Sequence, residues 1–418
     1  MPQRTRLPVD DRNYVIAVHS SPVGIAAAAW NSLLAAQADA TPFMRHEYLC
    51  AMHLSGSAVA ATGWTASFIT LTHKDSASRN QEPQLVGACA LYLKDHSYGE
   101  YVFDHAWAHA YQQHRLAYYP KALVAPPFTP VPGSRFLARD ATTRALLVRA
   151  VLQWCAEQDL SSLHILFASD ADASACSSNG MMLRHNIQFH WTNRTPAYRD
   201  FDDFLLTLSQ DKRKKIRQER RKVAEAGVVF RSAQGNAITQ QDWDFFYRCY
   251  ERTYYEHGNA PYLSRNFFAR MQATMPENWL LFVAERAGQP MACSLIALSD
   301  PATAPHTGQV AYGRYWGALE RVDCLHFEAC YYQPLQWCIA HGYQRFEGGA
   351  QGEHKMARAL LPVKTSSAHW LAHPAFADAV DKFLQRVGSG IENYMQTLEA
   401  RNPFKAACDN TPAAGSTT

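Results

Sequence analysis

At 418 residues the chain exceeds what one small core organises, and two domains are the natural division. Hydrophobic residues make up 47% of it, which excludes an intrinsically disordered chain. The net charge of +3 excludes a histone-like wrapper of nucleic acid, yet Asp211–Lys222 alone carries eight basic and two acidic residues.

Ten cysteines without a CxxC, several inside apolar runs such as MACSLIAL, predict buried thiols in a reducing compartment. The first residues, MPQRTRLPVDDRN, hold no apolar signal core, and no run approaches the ~20 apolar residues of a membrane span. The expectation is a soluble, cytoplasmic protein.

VGIAAAAWNSLLAAQADA predicts a helix, and Thr41-Pro42 opens a second one through His53. ASFITLTHK and PQLVGACALYLK predict a hairpin with a long polar loop at Asp75–Pro83. The prolines of KALVAPPFTPVPGSRF confine that stretch to an edge strand or loop. TTRALLVRAVLQWCAEQ reads as an amphipathic helix, with SLHILFA and IQFHWTN as strands after it. Phe201–Ala226 reads as one long basic helix stopped by Gly227 before the strand VVFRSA.

QQDWDFFYRCYERTYYEHG and LSRNFFARMQATM follow as a helix pair, and LLFVAERAGQPMACSLIAL as a hairpin around Ala287-Gly288. QVAYGRYWG is a strand, and DCLHFEACYYQPLQWCIAHG a helix kinked at Pro334 and ended by Gly342. YQRFEGG and SSAHWLA are the last strands, and the small, polar tail Cys408–Thr418 reads as disordered.

The second half thus repeats the first. Tyr98-Gly99-Glu100-Tyr101 answers Tyr312-Gly313-Arg314-Tyr315, and His190-Trp191 answers His369-Trp370, which points to a diverged duplication. The division expected is a first domain over 1–200, a basic connecting helix over 201–227, a second domain over 228–400 and a tail over 401–418.

The stretches YLKDHSYGEYVFD, PPFTPVPGSRFL, KRKKIRQERRKV, YGRYWG, CLHFEACYYQ and GGAQGEHKMARALLPV, from about Leu91 to Trp370, resemble the FemAB-like branch of the GNAT acyltransferases. The resemblance implies an α/β protein of mixed sheets in two tandem GNAT-like domains. It implies an N-acyltransferase that moves an acyl or aminoacyl group onto an amine, on a small molecule or a peptidoglycan precursor. The donor would be aminoacyl-tRNA or acetyl-CoA, with no tightly bound cofactor and with tRNA as a candidate partner. The alternatives are a CoA-dependent N-acetyltransferase and a non-catalytic protein that binds cell-wall precursor. Where CoA-using relatives carry a Q/R-x-x-G-x-G/A loop that turns backbone N–H groups on pyrophosphate, this chain reads GALERVDCLHFE, which counts against acetyl-CoA. Ala359 stands where the resemblance leads one to expect glycine.

Glu347–Val363 reads EGGAQGEHKMARALLPV, with Gly348, Gly349, Ala350 and Gly352 leading into three ionisable residues. It is neither a P-loop nor a GxGxxG fingerprint, and adjacent Glu353 and His354 chelate a metal poorly. A glycine turn with a solvated helix start and an acyl-transfer site remain. For the latter, the resemblance assigns Lys355 the charge on the reacting acyl group, with Gln351, Glu353 and His354 as substrate contacts. Glu328 or His326 is the candidate base. Tyr312 and Arg314 share one face of their strand by alternation, with Tyr315 on the other, as cleft contacts or cross-strand packing.

Lys94, His96, Tyr98 and Lys121 read either as binders of an anionic acceptor or as a structural network between domains. Lys212, Arg213, Lys215 and Arg217 read as an anion-binding stripe, a solvated helix face, or a membrane-surface contact. His105, His109 and His114 approach a metal pattern, but no Glu or Cys completes it, and no metal is expected.

Overall fold

Runs of β-branched and aromatic residues punctuated by turn residues form the strands, as their pleated packing favours. In the computed structural model the described residues are 3–5, 14–73, 83–349 and 352–405. The loop residues 75–82, Gln351 and the tail Cys408–Thr418 lie outside them. The first half holds β1 (Gln3–Thr5), β2 (Tyr14–His19), β3 (Trp64–Ala66), β4 (Phe68–His73), β5 (Gln84–Cys89) and β6 (Leu91–Lys94). It continues with β7 (Lys121–Val124), β8 (Phe136–Ala138), β9 (Ser162–Ala168) and β10 (Met182–Thr192). The second half holds β11 (Val228–Gln234), β12 (Trp279–Arg286), β13 (Gln289–Leu298), β14 (Val310–Ala318), β15 (Arg345–Glu347) and β16 (Leu361–Leu371).

These strands make mixed sheets flanked by helices. A five-stranded sheet runs β1-β2-β4-β5-β8, and an eleven-stranded sheet runs β11-β12-β13-β14-β15-β10-β16-β9-β7-β6-β3. The halves share this larger sheet by exchanging their last long strands. β10 of the first half lies antiparallel to β15, with His190 opposite Glu347. β16 of the second half lies antiparallel to β9, with His369 opposite His164. β10 and β16 then pair with each other from Met182–His369 to His190–Leu361. The two His-Trp anchors therefore sit on the two exchanged strands. One aromatic core crosses the boundary, with Phe43 on Tyr312 and Tyr48 on Phe267, each at 5.4 Å between ring centroids.

Four features differ from the sequence reading. The basic segment is two helices, Phe201–Thr207 and Gln210–Glu225, not one. Leu208 is buried and extended, bridges to Phe404, and hands over to Ser209, whose N–H reaches Pro403 O at 2.9 Å. β7 lies inside the sheet between β6 and β9, because the prolines of its stretch all fall in the excursion 125–135 that follows. A 26-residue helix, Pro374–Glu399, closes the chain; its sparse apolar contacts (Val380, Leu384, Leu398) and two glycines hid it. The alternation assumed for β14 breaks at a bulge opposite Leu295/Ile296, where Tyr315 and Gly313 pair and Arg314 is extra. Tyr312 and Tyr315 consequently share a face and join the same aromatic core.

β14 seats the helix Gln240–Glu256 so closely that a Cβ on Gly317 would lie 2.2 Å from the Cys249 carbonyl oxygen. Gly390 stands in open space within the C-terminal helix. Gly317→Ala is expected to lose about 3 kcal/mol by overpacking, and Gly390→Ala to gain roughly 0.5–1 kcal/mol. Equilibrium denaturation of the two variants beside the unmodified chain checks both signs.

Candidate active site

Parallel pairing of β14 with β15 covers only Val310–Arg345, Ala311–Phe346 and Tyr312–Glu347. The strands then part at Gly313 and Gly348, and a cavity of about 150 Å³ opens between them. Gly313, Arg314, His326, Tyr331, Gly348 and Gly349 are among its walls. Gly349 takes a φ of 85°, and a Cβ on Gly348 would lie 2.6 Å from Leu360 Cδ2, so both positions suit glycine alone.

The turn Glu353–Arg358 carries Lys355 behind this glycine pair. Lys355 is 3% exposed, and its Nζ donates to Gly349 O at 2.9 Å. Burial lowers its pKa to about 8. The helix after β14 begins at Leu325 and widens into a π-turn over Glu328–Tyr332. Pro334 has no N–H to offer the Cys330 carbonyl, which accounts for the wider turn there. This turn brings His326, Cys330 and Tyr331 to the cavity. Burial, with His354, Arg358 and Lys355 nearby, lowers His326 to about 4 and leaves it the neutral imidazole. Burial pushes the Cys330 thiol up, so this cavity-lining sulfur is no thiolate at neutral pH.

The structure separates the other candidates. Glu328 is buried and committed to Arg220, with Nη2 at 3.0 Å, and to Gln333 at 2.7 Å. Its carboxylate braces the basic helix and is not a wall of the cavity. Tyr312 is buried beneath the cavity with its hydroxyl unpartnered, in the aromatic core. His354 is exposed and shares a hydrogen bond of 3.2 Å with Tyr331, while Glu353 turns away to Tyr394 and Arg401 of the C-terminal segment.

In the first half, Lys121 is fully buried between Glu100, at 2.7 Å, and Asp104. Tyr118, His164 and His369 extend this network. It is the structural alternative of the two readings for Lys121, since desolvated charges persist only when paired. Lys94 Nζ lies 3.8 Å from the Trp64 ring and 3.4 Å from both His96 Nδ1 and the Tyr98 carbonyl. None of Lys94, His96, Tyr98 or Lys121 is a wall of the β14–β15 cavity.

Sequence reasoning missed the braces around the site. Glu219 of the basic helix accepts from Arg358 Nη2 at 3.0 and 3.1 Å and from the Tyr332 hydroxyl. Arg358 also lies 3.5 Å from the Phe327 ring and donates to His354 O at 2.7 Å. The buried i, i+3, i+7 residues Ile216, Glu219 and Val223 show how the helix seats, and a glutamate in a basic run was the available signal. Glu347 was also missed. Its buried carboxyl faces the first half, 3.0 Å from Arg345 Nε and 3.9 Å from His190 Nε2, and burial raises it to about 7. Among the described residues no group of His, Cys, Asp and Glu could hold a metal, and no helix is long and apolar enough to cross a membrane.

Solved structures are similar to this chain at low identity. FemX is 9% identical, covers 85% of this chain and 98% of its own, and superposes with a TM-score of 0.51. L-PGS from Bacillus licheniformis is 10% identical over 72% of this chain and 86% of its own, with a TM-score of 0.46. A tandem GNAT protein from the clavulanic acid biosynthesis pathway is 12% identical over 86% of this chain and 99% of its own, with a TM-score of 0.41. No curated protein sequence matches the chain. The family model for peptidoglycan biosynthesis/recognition proteins matches residues 21–406, nearly the whole chain, which therefore belongs to the FemAB-like family.

Proposed function

We propose that the chain transfers an aminoacyl group from charged tRNA to an amine, on a peptidoglycan precursor or a smaller acceptor. The observation that carries this reading is the docking of the basic helix. Glu219 and Arg220 fix it directly to the turns that carry Tyr332, Glu328 and Arg358 around the cavity. Lys214, Lys215, Arg217, Arg221 and Lys222 are exposed, Lys212 and Arg213 are half-buried, and Lys212, Lys214 and Lys215 form no ion pair among the described residues. A polyanion lying on that face is held beside the point where β14 and β15 part. Between Ala318 and Leu325 the chain has no glycine for a pyrophosphate cradle, and Cys324 takes a φ of 66°.

On this reading the second half, residues 228–400, performs the reaction, residues 201–227 dock the donor, and residues 1–200 brace the site through β10 and the Phe128 carbonyl. The acceptor nitrogen attacks the ester carbonyl, a C–N bond forms, and the bond from that carbonyl carbon to the ribose oxygen breaks. The Lys355 ammonium stabilises the oxyanion in a site poor in water, where a fixed charge acts most strongly. His326, the candidate base that faces the cavity, is neutral and takes the proton that the amine loses. The leaving ribose oxygen then receives a proton. No enzyme nucleophile is required, which agrees with the protonated Cys330.

Lys355→Met is expected to lower the single-turnover rate ~10²–10³-fold while substrate affinity changes little, because the oxyanion exists only in the transition state. The rate should also fall as pH rises through about 8, where the lysine loses its charge. Equal rates for Lys355→Met and the unmodified chain would return the lysine to a packing role.

Replacing Lys212, Arg213, Lys214 and Lys215 together with serine should flatten the salt dependence of tRNA binding. Each lost phosphate contact removes about 0.7–0.9 from the log–log slope. A filter-binding salt series measures it, and an unchanged slope would make the helix a solvated brace.

A further inference from the structure

Several of the other deeply placed cations have a carboxylate, while Lys94 and Arg135 meet a ring or backbone carbonyls instead. Arg45 has Glu47 and Glu277, Lys121 has Glu100 and Asp104, Arg220 has Glu328, and Arg358 has Glu219. Arg314, on the wall of the β14–β15 cavity, forms no ion pair among the described residues. Its Nη2 donates to the Phe128 carbonyl at 2.9 Å and to the Tyr315 hydroxyl at 3.3 Å. Its Nε is sealed from solvent without a partner. A guanidinium stays charged at every physiological pH, so this leaves a permanent positive charge with hydrogen-bonding capacity unused.

The surroundings hold that charge in place. The guanidinium lies 5.0 Å from the Phe43 ring centroid and 5.1 Å from that of Tyr315. Phe128, which supplies the carbonyl, takes a φ of 55°, and Tyr101 of the neighbouring first-half loop a φ of 62°. Bulky side chains rarely adopt such angles, and their backbone strain collects at ligand clamps. Phe128 also stacks on Tyr262 of the second half at 4.7 Å and 10°. Lys355, behind Gly349, is a second cation without a carboxylate partner among the described residues.

We infer that Arg314 seats a carboxylate in this cavity, so that the acceptor amine belongs to an amino acid or short peptide bearing a free carboxylate. The inference rests on the acyl-transfer reading for the identity of the bound molecule as acceptor. A carboxylate accepts charge-assisted hydrogen bonds from a guanidinium, and Nη1 is the Arg314 nitrogen that is neither bonded nor sealed among the described residues. A cavity of about 150 Å³ accommodates one end of a small molecule, well below the ~300 Å³ at which larger ligand pockets begin. The first half then has a defined role, since the Phe128 carbonyl from its 125–135 excursion aims the arginine of the other half.

Calorimetric titration of the full chain with glycylglycine, glycylglycinamide and inorganic phosphate tests this. The dipeptide acid should bind at least ~10-fold tighter than its amide and tighter than phosphate. Arg314→Met should abolish that preference, and Arg314→Lys should retain part of it. Equal binding of acid and amide, no detectable binding of either, or an unchanged preference in Arg314→Met would overturn the inference. Tighter binding of phosphate would reassign the seat to a phosphoryl group and also overturn it. If Arg314→Met does not fold, the unmodified chain and Arg314→Lys decide the matter. A chain that shows the acid preference but transfers nothing contradicts the reaction and leaves the carboxylate seat standing. A chain that transfers to amines without the preference does the reverse.

Discussion

A β-ladder satisfies backbone N–H and C=O groups only while its strands run side by side, and β14 and β15 do so for three residue pairs. Beyond Tyr312 and Glu347 the two facing edges have no ladder partner in each other, and each strand is held by its outer neighbour. β13 is that neighbour on one side, taking β14 through the bulge at Arg314. On the other, β10 of the first half pairs with β15, and Phe189 O accepts the N–H of Gly348 at 3.3 Å. The opening is therefore held by a strand that the other half contributes. Strand exchange and cleft are one constraint, and the halves depend on each other for the site.

Charge follows the same division. Away from the cavity, Lys121 meets Glu100 and Asp104, and Arg45 meets Glu47 and Glu277. Removing one such partner would leave the other uncompensated, which is why these networks read as scaffold. Around the cavity, Arg314 and Lys355 meet backbone carbonyls instead of carboxylates. Two cations without a carboxylate partner beside one opening preorganise it for negative charge arriving or developing there. The basic helix extends that field outward along its exposed face.

Element types were legible in the sequence wherever periodicity and turn chemistry agreed, as in SLHILFA for β9 or Ala287-Gly288 at the β12–β13 hairpin. The fold and family were legible from clustered motifs, including the glycines of Glu347–Val363. Four things were not. A bulge changes the facing of Tyr315 without any special residue type at the position, so strict alternation misplaced it. The break at Leu208 depends on a long-range bridge to Phe404 that no local signal encodes. The exchange of β10 and β16 is a matter of topology, and local patterning is blind to it. Finally, a run such as Lys94–Glu100 looks the same whether its charges serve a ligand or each other. The structure gathers Arg314, His326 and Lys355 near one cavity and leaves Lys94, His96, Tyr98 and Lys121 elsewhere.

The central claim is that an activated acyl group meets an amine where β14 and β15 part. Its most direct measurement is mass spectrometry of candidate amine acceptors after incubation with the chain and, in parallel, charged tRNA or acetyl-CoA. The account predicts a product heavier by one aminoacyl residue in the tRNA reaction. An acetyl increment instead would contradict the donor, and unmodified acceptors from both donors, with acceptor binding intact, would contradict the reaction itself.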